Sequence, residues 1–585
     1  MVRMIITIML LAAPSASGQD GSDRIRVNQV GFHPSAPKVA AVVGARGTEF
    51  YLTTPDGADT LLTAALDEER YWDASGERVR LADFSEIRRP GIWRLHVPGT
   101  GVSHAIRIDS GVLRTVSVAA LKAYYYQRAS TELRDEHAGR WSRPAGHPDD
   151  HVLVHASAAT AVRPTGTAIA SPRGWYDAGD YNKYVVNSGI STWTLLAAFE
   201  HYPDYFATID TNIPESANGL PDLLDEVLWN VRWMLTMQDP GDGGVYHKLT
   251  HANFSGAVMP HEATAPRYVV QKGTAATLNF AAVMAQASRV LAPFRAELGG
   301  LADSTRSAAL NAWRWARANP DSSYRQSALN RAFDPDVVTG AYGDSNFLDE
   351  FRWAAAELAI TLEADSFLTI ASPLDEAPRV PSWPNVGSLG WFSMVHHRAA
   401  LAAAIDTAGM VSRLLTFADE LVARREAAAY RVVMGQEATD FVWGSNSVAA
   451  NQSLVLLQAF RATRDSTWLW AALDNVDYLL GRNATGHSFL TGFGVRSPRH
   501  PHHRPSEADG IAEPVPGLLA GGPQPGGHDV GTESWQCEDY RTEAAKSWVD
   551  DWCSYATNEV TINWNAPLVY VAGGLASALS RAGPR

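Results

Sequence analysis

Residues 218–240 read NGLPDLLDEVLWNVRWMLTMQDP. Leu220, Leu223, Leu224, Val227, Leu228, Val231 and Leu235 recur at the three- and four-residue spacing of one α-helical face. Pro221 falls in the first turn, where its missing N–H removes no hydrogen bond. The texture returns in GTAATLNFAAVMAQASRVL (273–291), FLDEFRWAAAELAITL (347–362), HHRAALAAAIDTA (396–408) and NEVTINWNAPLVYVAGGLASALS (558–580). These stretches are Ala-rich and apolar around much of their circumference, as helices buried on two sides must be. They predict an all-α domain over 110–585: a ring of helical hairpins, with long Gly- and Pro-rich loops gathered on one face.

Upstream the texture differs. RIRVNQVGF (24–32), KVAAVVG (38–44), EFYLTT (49–54), ERVRLADFS (77–85), GIWRLHV (91–97) and HAIRID (104–109) are short β-rich runs. Gly and Pro separate them at the spacing of a small all-β sandwich, expected over 24–108. MVRMIITIMLLAAPSASGQD opens the chain with a basic residue, a short apolar run and small residues at Ala16-Ser17-Gly18. That is the pattern of a signal peptide over 1–18, and the run is too short to span a bilayer. The chain is expected to be secreted, periplasmic or extracellular, and monomeric. A net charge of −14 and a pI near 5.7 argue against a nucleic acid or an anionic membrane as partner. The only cysteines, Cys537 and Cys553, either pair in an exported chain or remain buried thiols.

The chemistry is expected in the loops. GWYDAGDYNKY (174–184) sets Asp177 and Asp180 three residues apart among Trp175, Tyr176, Tyr181 and Tyr184. One of the aspartates could cap a helix; alternatively the two face a water or a substrate together. The 19 tryptophans exceed what a core requires, and flat apolar rings, Trp175 among them, suit the C–H face of a sugar. The segment from Gly481 to Thr557 is too polar for a core and too rich in dispersed aromatics for a linker.

Three stretches resemble motifs of glycoside hydrolase family nine, in the branch with an N-terminal immunoglobulin-like domain. They are DAGDYNKY (177–184), SFLTGFGVRSPRHPHHR (488–504) and WVDDWCSYATNEVTINWNA (548–566), in the family's order; RVNQVGFHP (26–34) resembles the start of its β-domain. The resemblance implies an immunoglobulin-like sandwich on an (α/α)6 barrel that cleaves β-1,4-glucans with inversion. Inversion needs one carboxyl to protonate the leaving oxygen and another to deprotonate water on the opposite face. Asp180 fits the base and Glu559 the acid, with Asp177 helping to hold the water. Asp550 is expected to raise the pKa of Glu559 against the helix dipole, and His502 joins the catalytic set. Arg504, His503, Tyr555, Trp175, Tyr246 and His247 are the expected substrate contacts. The chemistry requires no cofactor. GDSNFLDEFRW (343–353) resembles the family's calcium loop, with Ser345, Asp349 and Glu350 as hard donors; the other reading is a capped helix start. RWSRPAGHPDDHVLVHAS (140–157) lacks the cysteines the family often has there.

An endo-acting β-1,4-glucanase is the expected activity, on cellulose-type or mixed-linkage polysaccharide or oligosaccharide. The alternatives are an exo-acting cellodextrinase, β-glucosidase or glucosaminidase, with GHPDDHVLVHAS (146–157) walling one end of the cleft, and a non-catalytic carbohydrate-binding homologue.

Overall fold

The computed structural model describes residues 21–371, 374, 377–531, 537 and 540–581. The expected signal segment, residues 1–18, lies outside these. Nine strands form the N-terminal domain: β1 (Ile25–Arg26), β2 (Val39–Val43), β3 (Glu49–Thr53), β4 (Thr60–Ala65), β5 (Arg70–Trp72), β6 (Glu77–Asp83), β7 (Gly91–Val97), β8 (Gly101–Val102) and β9 (Ile106–Ile108). One antiparallel sheet has the order β1-β2-β6-β5; the other is β4-β3-β7-β8, with β9 also on β7.

Strand β2 shows why KVAAVVG is apolar without alternation. Ala40 and Val42 face the sandwich core with Phe50, Leu52 and Leu95. Val39 and Ala41, on the opposite face, join Trp72, Val79 and Leu81 in the core of the helical part. A strand buried on both faces has no polar side to show.

The helical part is built from α1 (Val112–Tyr126), α2 (Val185–His201), α3 (Asp222–Thr236), α4 (Thr274–Leu291), α5 (Leu301–Ala318), α6 (Leu348–Leu362), α7 (Leu368–Ala371), α8 (Gly387–His396), α9 (Thr407–Ala427), α10 (Ser445–Thr463), α11 (Ser466–Leu479) and α12 (Ile562–Arg581). Packing runs α12–α2–α4–α6–α8–α10 and returns to α12. Outside lie α1 on α12, α3 on α2, α5 on α4, α7 on α6, α9 on α8 and α10, and α11 on α10. Burial follows this placement. Val185–Phe199 of α2 are all buried, whereas α5 buries only an Ala-rich stripe with Thr305 and Trp313.

Helix α3 is the 218–240 stretch. Its apolar stripe is buried, but so are Asp222, Asp225, Glu226 and Asn230. Glu226 is paired with Arg128 at 2.9 Å, and Asn230 donates to Thr192 at 2.9 Å, so these two find partners inside the protein. The stretch 396–408 differs from its expected helix. Only one turn of it, Arg398–Leu401, is helical; around that it is a corner, where α8 ends at His396, Ala402–Ala404 are exposed, and Asp406 caps α9 by accepting from Gly409 N at 2.8 Å. A small five-stranded sheet, absent from the sequence reading, joins β10 (Val152–Val154), β11 (Ala168–Ile169), β12 (Lys183–Tyr184), β13 (Lys248–His251) and β14 (Arg267–Val269) in the order β11-β10-β14-β13-β12. Among the described residues no helix is long and apolar enough to cross a membrane.

Candidate active site

The loops that lead into the helices of the ring meet around one cavity of about 1000 Å³. Asp177 and Asp180 precede α2, Tyr342 precedes α6, Trp383 precedes α8, Trp443 precedes α10 and Glu559 precedes α12; all line it.

The aspartate turn is fixed from both sides. Asp177 N donates to Asn182 O at 3.0 Å, and Ile562 N donates to Asp177 O at 2.9 Å, tying the turn to α12. Gly179 is needed for space: a β-carbon there would overlap the His502 carbonyl. Arg504 donates to Gly179 O through its backbone N at 3.1 Å and through Nη1 at 2.9 Å, so the histidine loop clamps the turn.

Asp177 accepts from Asn187 Nδ2 at 2.6 Å and from the Tyr342 hydroxyl at 2.8 Å, one on each oxygen. Burial pushes its carboxyl up to about 8, Asp180 adds to the rise, and the two donors oppose it. Asp180 accepts from Asn182 Nδ2 and from the Tyr184 hydroxyl. Burial raises it as well, while the charge of Arg504 and the Asn182 bonds pull it down. Glu559 lies in extended backbone between the short helix Tyr555–Asn558 and α12, beside His502 in a parallel bridge. It stays well above the ordinary glutamate range, first through burial and then through the charge of Asp180, with Asp177 adding and Arg504 opposing. All three carboxyls are thus raised by burial; Glu559 is kept protonated, and at Asp180 the Arg504 charge is the first influence opposing the rise.

His502 and Arg504 line the cavity. His502 Nδ1 lies 2.7 Å from the Trp552 carbonyl, which can only accept, so Nδ1 carries the hydrogen. Burial lowers this imidazole to about 4, so at neutral pH it is uncharged and orients rather than protonates. Tyr555 is also in the lining, with its ring 5.4 Å from Trp443.

Four expected substrate contacts and one expected catalytic residue, Asp550, lie elsewhere. Trp175 is fully buried, 4.6 Å from Tyr124, with its indole N–H toward Glu226. Tyr246 is buried and bonded to Arg163 and Asp239. His247 stacks on Tyr324 at 4.1 Å and bonds the Ala341 carbonyl, one layer behind the cavity wall. His503 is buried against Gln127 and Ser506. Asp550 is a loop staple: it accepts from Arg499 N, His500 N and Asn558 Nδ2 at 2.8–3.0 Å and is not among the charges that raise Glu559. The insert 146–157 enters β10 and supplies no residue to the lining. The residues that do line the cavity include Phe254, Trp383, Trp443 and Trp564. For Trp383 and Trp443 the signal was an aromatic beside a glycine or proline in a loop, SWP (382–384) and VWG (442–444).

Cys537 and Cys553 are disulfide-bonded. At the start of α6, neither Ser345 nor Asn346 is the N-cap, which is Phe347 with no side-chain cap bond. Ser345 is exposed, and its backbone N donates to Asp344 Oδ1. Both carboxylate oxygens of Glu350, Asp349 Oδ1 and Asp344 Oδ2 are buried without a hydrogen-bond donor among the described residues. Burial and the neighbouring charges of Asp349 and Asp344 drive Glu350 far up. Carboxylate oxygens are donors of the kind a hard cation such as Ca²⁺ takes.

An aromatic-walled cavity that gathers Asp177, Asp180 and Glu559 fits a glycoside hydrolase. The chain belongs to glycosyl hydrolase family 9. Residues 114–572 match that family's model, and residues 20–102 match the model of the cellulase N-terminal ig-like domain. It is 41% identical to a xyloglucan-specific endo-beta-1,4-glucanase of Bacteroides ovatus, over 98% of this chain and 97% of that one. It is 32% identical to endoglucanase D of Acetivibrio thermocellus, over 97% of this chain and 86% of that one. Among solved structures, a Bacteroides ovatus GH9 protein superposes with a TM-score of 0.88 at 40% identity, covering 95% of this chain and 99% of that one. A single-mutant thermostable endoglucanase of Alicyclobacillus acidocaldarius gives 0.82 at 32%, covering 94% and 99%.

Proposed function

We propose that this enzyme is a secreted, monomeric endo-β-1,4-glucanase that inverts the anomeric centre, and that its ring of helices is an (α/α)6 barrel. The observation that carries the reading is the meeting of Asp177, Asp180 and Glu559 in one aromatic-lined cavity. Glu559 gives its proton to the departing glycosidic oxygen as the bond to the anomeric carbon breaks. Asp180 takes a proton from the water whose oxygen forms the new bond, and Asp177 holds that water from the same turn. Both carboxyls end with their charge states exchanged, and solvent restores them. His502 and Arg504 bind hydroxyls beside the cleavage point, and Trp443 and Tyr555 provide flat faces for glucosyl rings.

The polysaccharide is a β-1,4-glucan, and the 41%-identical relative makes the branched xyloglucan the first form to try. We also place a structural calcium ion on Asp344, Asp349 and Glu350, where it would neutralise three crowded carboxyls. The test is the product pattern over time from xyloglucan, a mixed-linkage glucan and cellotetraose. Internal cutting gives an early fall in viscosity and a ladder of oligosaccharides. Steady release of one small sugar from chain ends would reject endo action.

A further inference from the structure

We propose that Trp72 of the immunoglobulin-like domain is a positioning residue for Trp443, so that the β-domain tunes how tightly the cleft holds its glucan. The proposal rests on the reading of Trp443 as a sugar platform.

Trp72 closes β5, yet its ring belongs to the helical core and not to the sandwich core. It packs 4.8 Å from Tyr430 and 6.4 Å from Phe441. Gly435 lies flat on it: at φ +89 a β-carbon there would come 2.6 Å from the indole. From this contact the loop runs directly to the cavity. Asp440 gathers its backbone, accepting from Gly435 N, Gln436 N and Glu437 N at 2.9–3.0 Å, and is itself held by Gln452 of α10. Phe441 is buried, and then Trp443, 43% exposed, emerges into the cavity between Tyr555 and His528. Gly444 follows, packed on Trp564. The loop thus has Trp72 under one end and a substrate-facing indole at the other, with a carboxylate knot between.

The rest of the β5–β6 hairpin fixes the same neighbourhood. Arg70 donates to the carbonyls of Glu426 and Ala427 at the end of α9, and Glu77 accepts from the Tyr430 hydroxyl at 2.6 Å. Ala545 N donates to Ala74 O at 2.8 Å, and Lys546 pairs with Glu77 at 3.0 Å, just upstream of the segment that carries Tyr555 and Glu559. The Trp72 indole N–H finds no acceptor among the described residues, so phenylalanine there removes bulk without breaking a bond.

The experiment is a double-mutant cycle on the full chain with a soluble glucan, reading KM, kcat and melting temperature for wild type, Trp72→Ala, Trp72→Phe, Trp443→Ala and the pair. Trp72→Ala should raise KM about five- to tenfold, the scale of one lost ring contact, with a smaller change in kcat. Trp72→Phe should recover most of the affinity. In the Trp443→Ala background, Trp72→Ala should add nothing further to KM. If Trp72→Ala does not fold, Gly435→Ala disturbs the same contact from the other side and should give the same KM signature. Wild-type hydrolysis with additive KM effects, or with KM unmoved while only the melting temperature falls, overturns the proposal alone. A wild-type chain that hydrolyses no β-glucan overturns the functional reading and the proposal together.

Discussion

The α-carbon of Gly179 faces the carbonyl of His502 with no room for a β-carbon between them. The turn that carries Asp177 and Asp180 is therefore pressed directly on the loop that carries His502 and Arg504. Gly179→Ala should force the two apart and displace the base from the acid. A shift of about 1 Å can cost on the order of 10²-fold in rate. We expect kcat to fall by that order with the circular dichroism spectrum unchanged; near-wild-type kcat would show that this contact does not set the geometry.

Asp177→Asn separates charge from shape. The negative charge of Asp177 helps hold Glu559 up, so its removal should let Glu559 ionise at lower pH. The alkaline limb of the pH–rate profile should move toward lower pH. The same change bears on stability. Asp177 is raised to about 8 in the fold, so its favourable contribution is complete below the ordinary aspartate range and is lost as pH rises toward 8. The variant should melt a few degrees above wild type at pH 8, with the gap closing near pH 4. An equal gap at both pH values would contradict this.

The crowded carboxyls at the start of α6 predict a metal-dependent melting temperature. Chelation should lower it, and Ca²⁺ should restore it. In Glu350→Gln, where one of the crowded charges is gone, chelation should shift it much less. Identical melting of chelated and Ca²⁺-loaded wild type would reject the site.

The disulfide closes a 16-residue separation beside Tyr555. In the chain-entropy model a loop of this size contributes roughly 3 kcal/mol. Reduction should lower the melting temperature, and titration of the unreduced, unfolded protein should find no free thiol. Two titratable thiols would contradict the bond.

These residues also show what could be read before the structure. Period and apolarity located the β-runs and the stripe of α3, because burial of one face leaves a repeat in the sequence. The aspartates stood out because two carboxyls among aromatics in a loop have few structural uses, and Glu559 through the resemblance of 548–566 to a family motif. Trp175, Tyr246 and His247 were misplaced for the same reason that Trp443 and Phe254 were overlooked. In a loop there is no period to say which side a ring takes, and the deciding neighbours (Tyr124, Asp239, Tyr324) lie 7 to 77 positions away or come from another element. Asp550 illustrates a second limit: it sits nine residues from Glu559, yet its oxygens turn to the backbone of Arg499 and His500. The charges that raise Glu559 come from a turn almost four hundred residues upstream.

The acid and base can be separated by leaving group. Glu559→Gln keeps the shape and removes the proton donor, so hydrolysis of a natural glucan should fall by about 10²–10⁴-fold. An activated aryl glycoside needs little protonation and should lose far less. Asp180→Asn should impair both substrates alike, since water must attack whatever departs. Equal losses on both substrates for Glu559→Gln would remove it from the acid role.

The central claim is that Asp180 acts on water and does not itself attack the sugar. It is tested most directly by following the anomeric proton of the first product by NMR during hydrolysis of a β-1,4-glucan. The account predicts the α-anomer first, with the β-anomer appearing only by mutarotation. A first product of β configuration would mean a covalent carboxylate intermediate, and would contradict the assignment of Asp180 as a base.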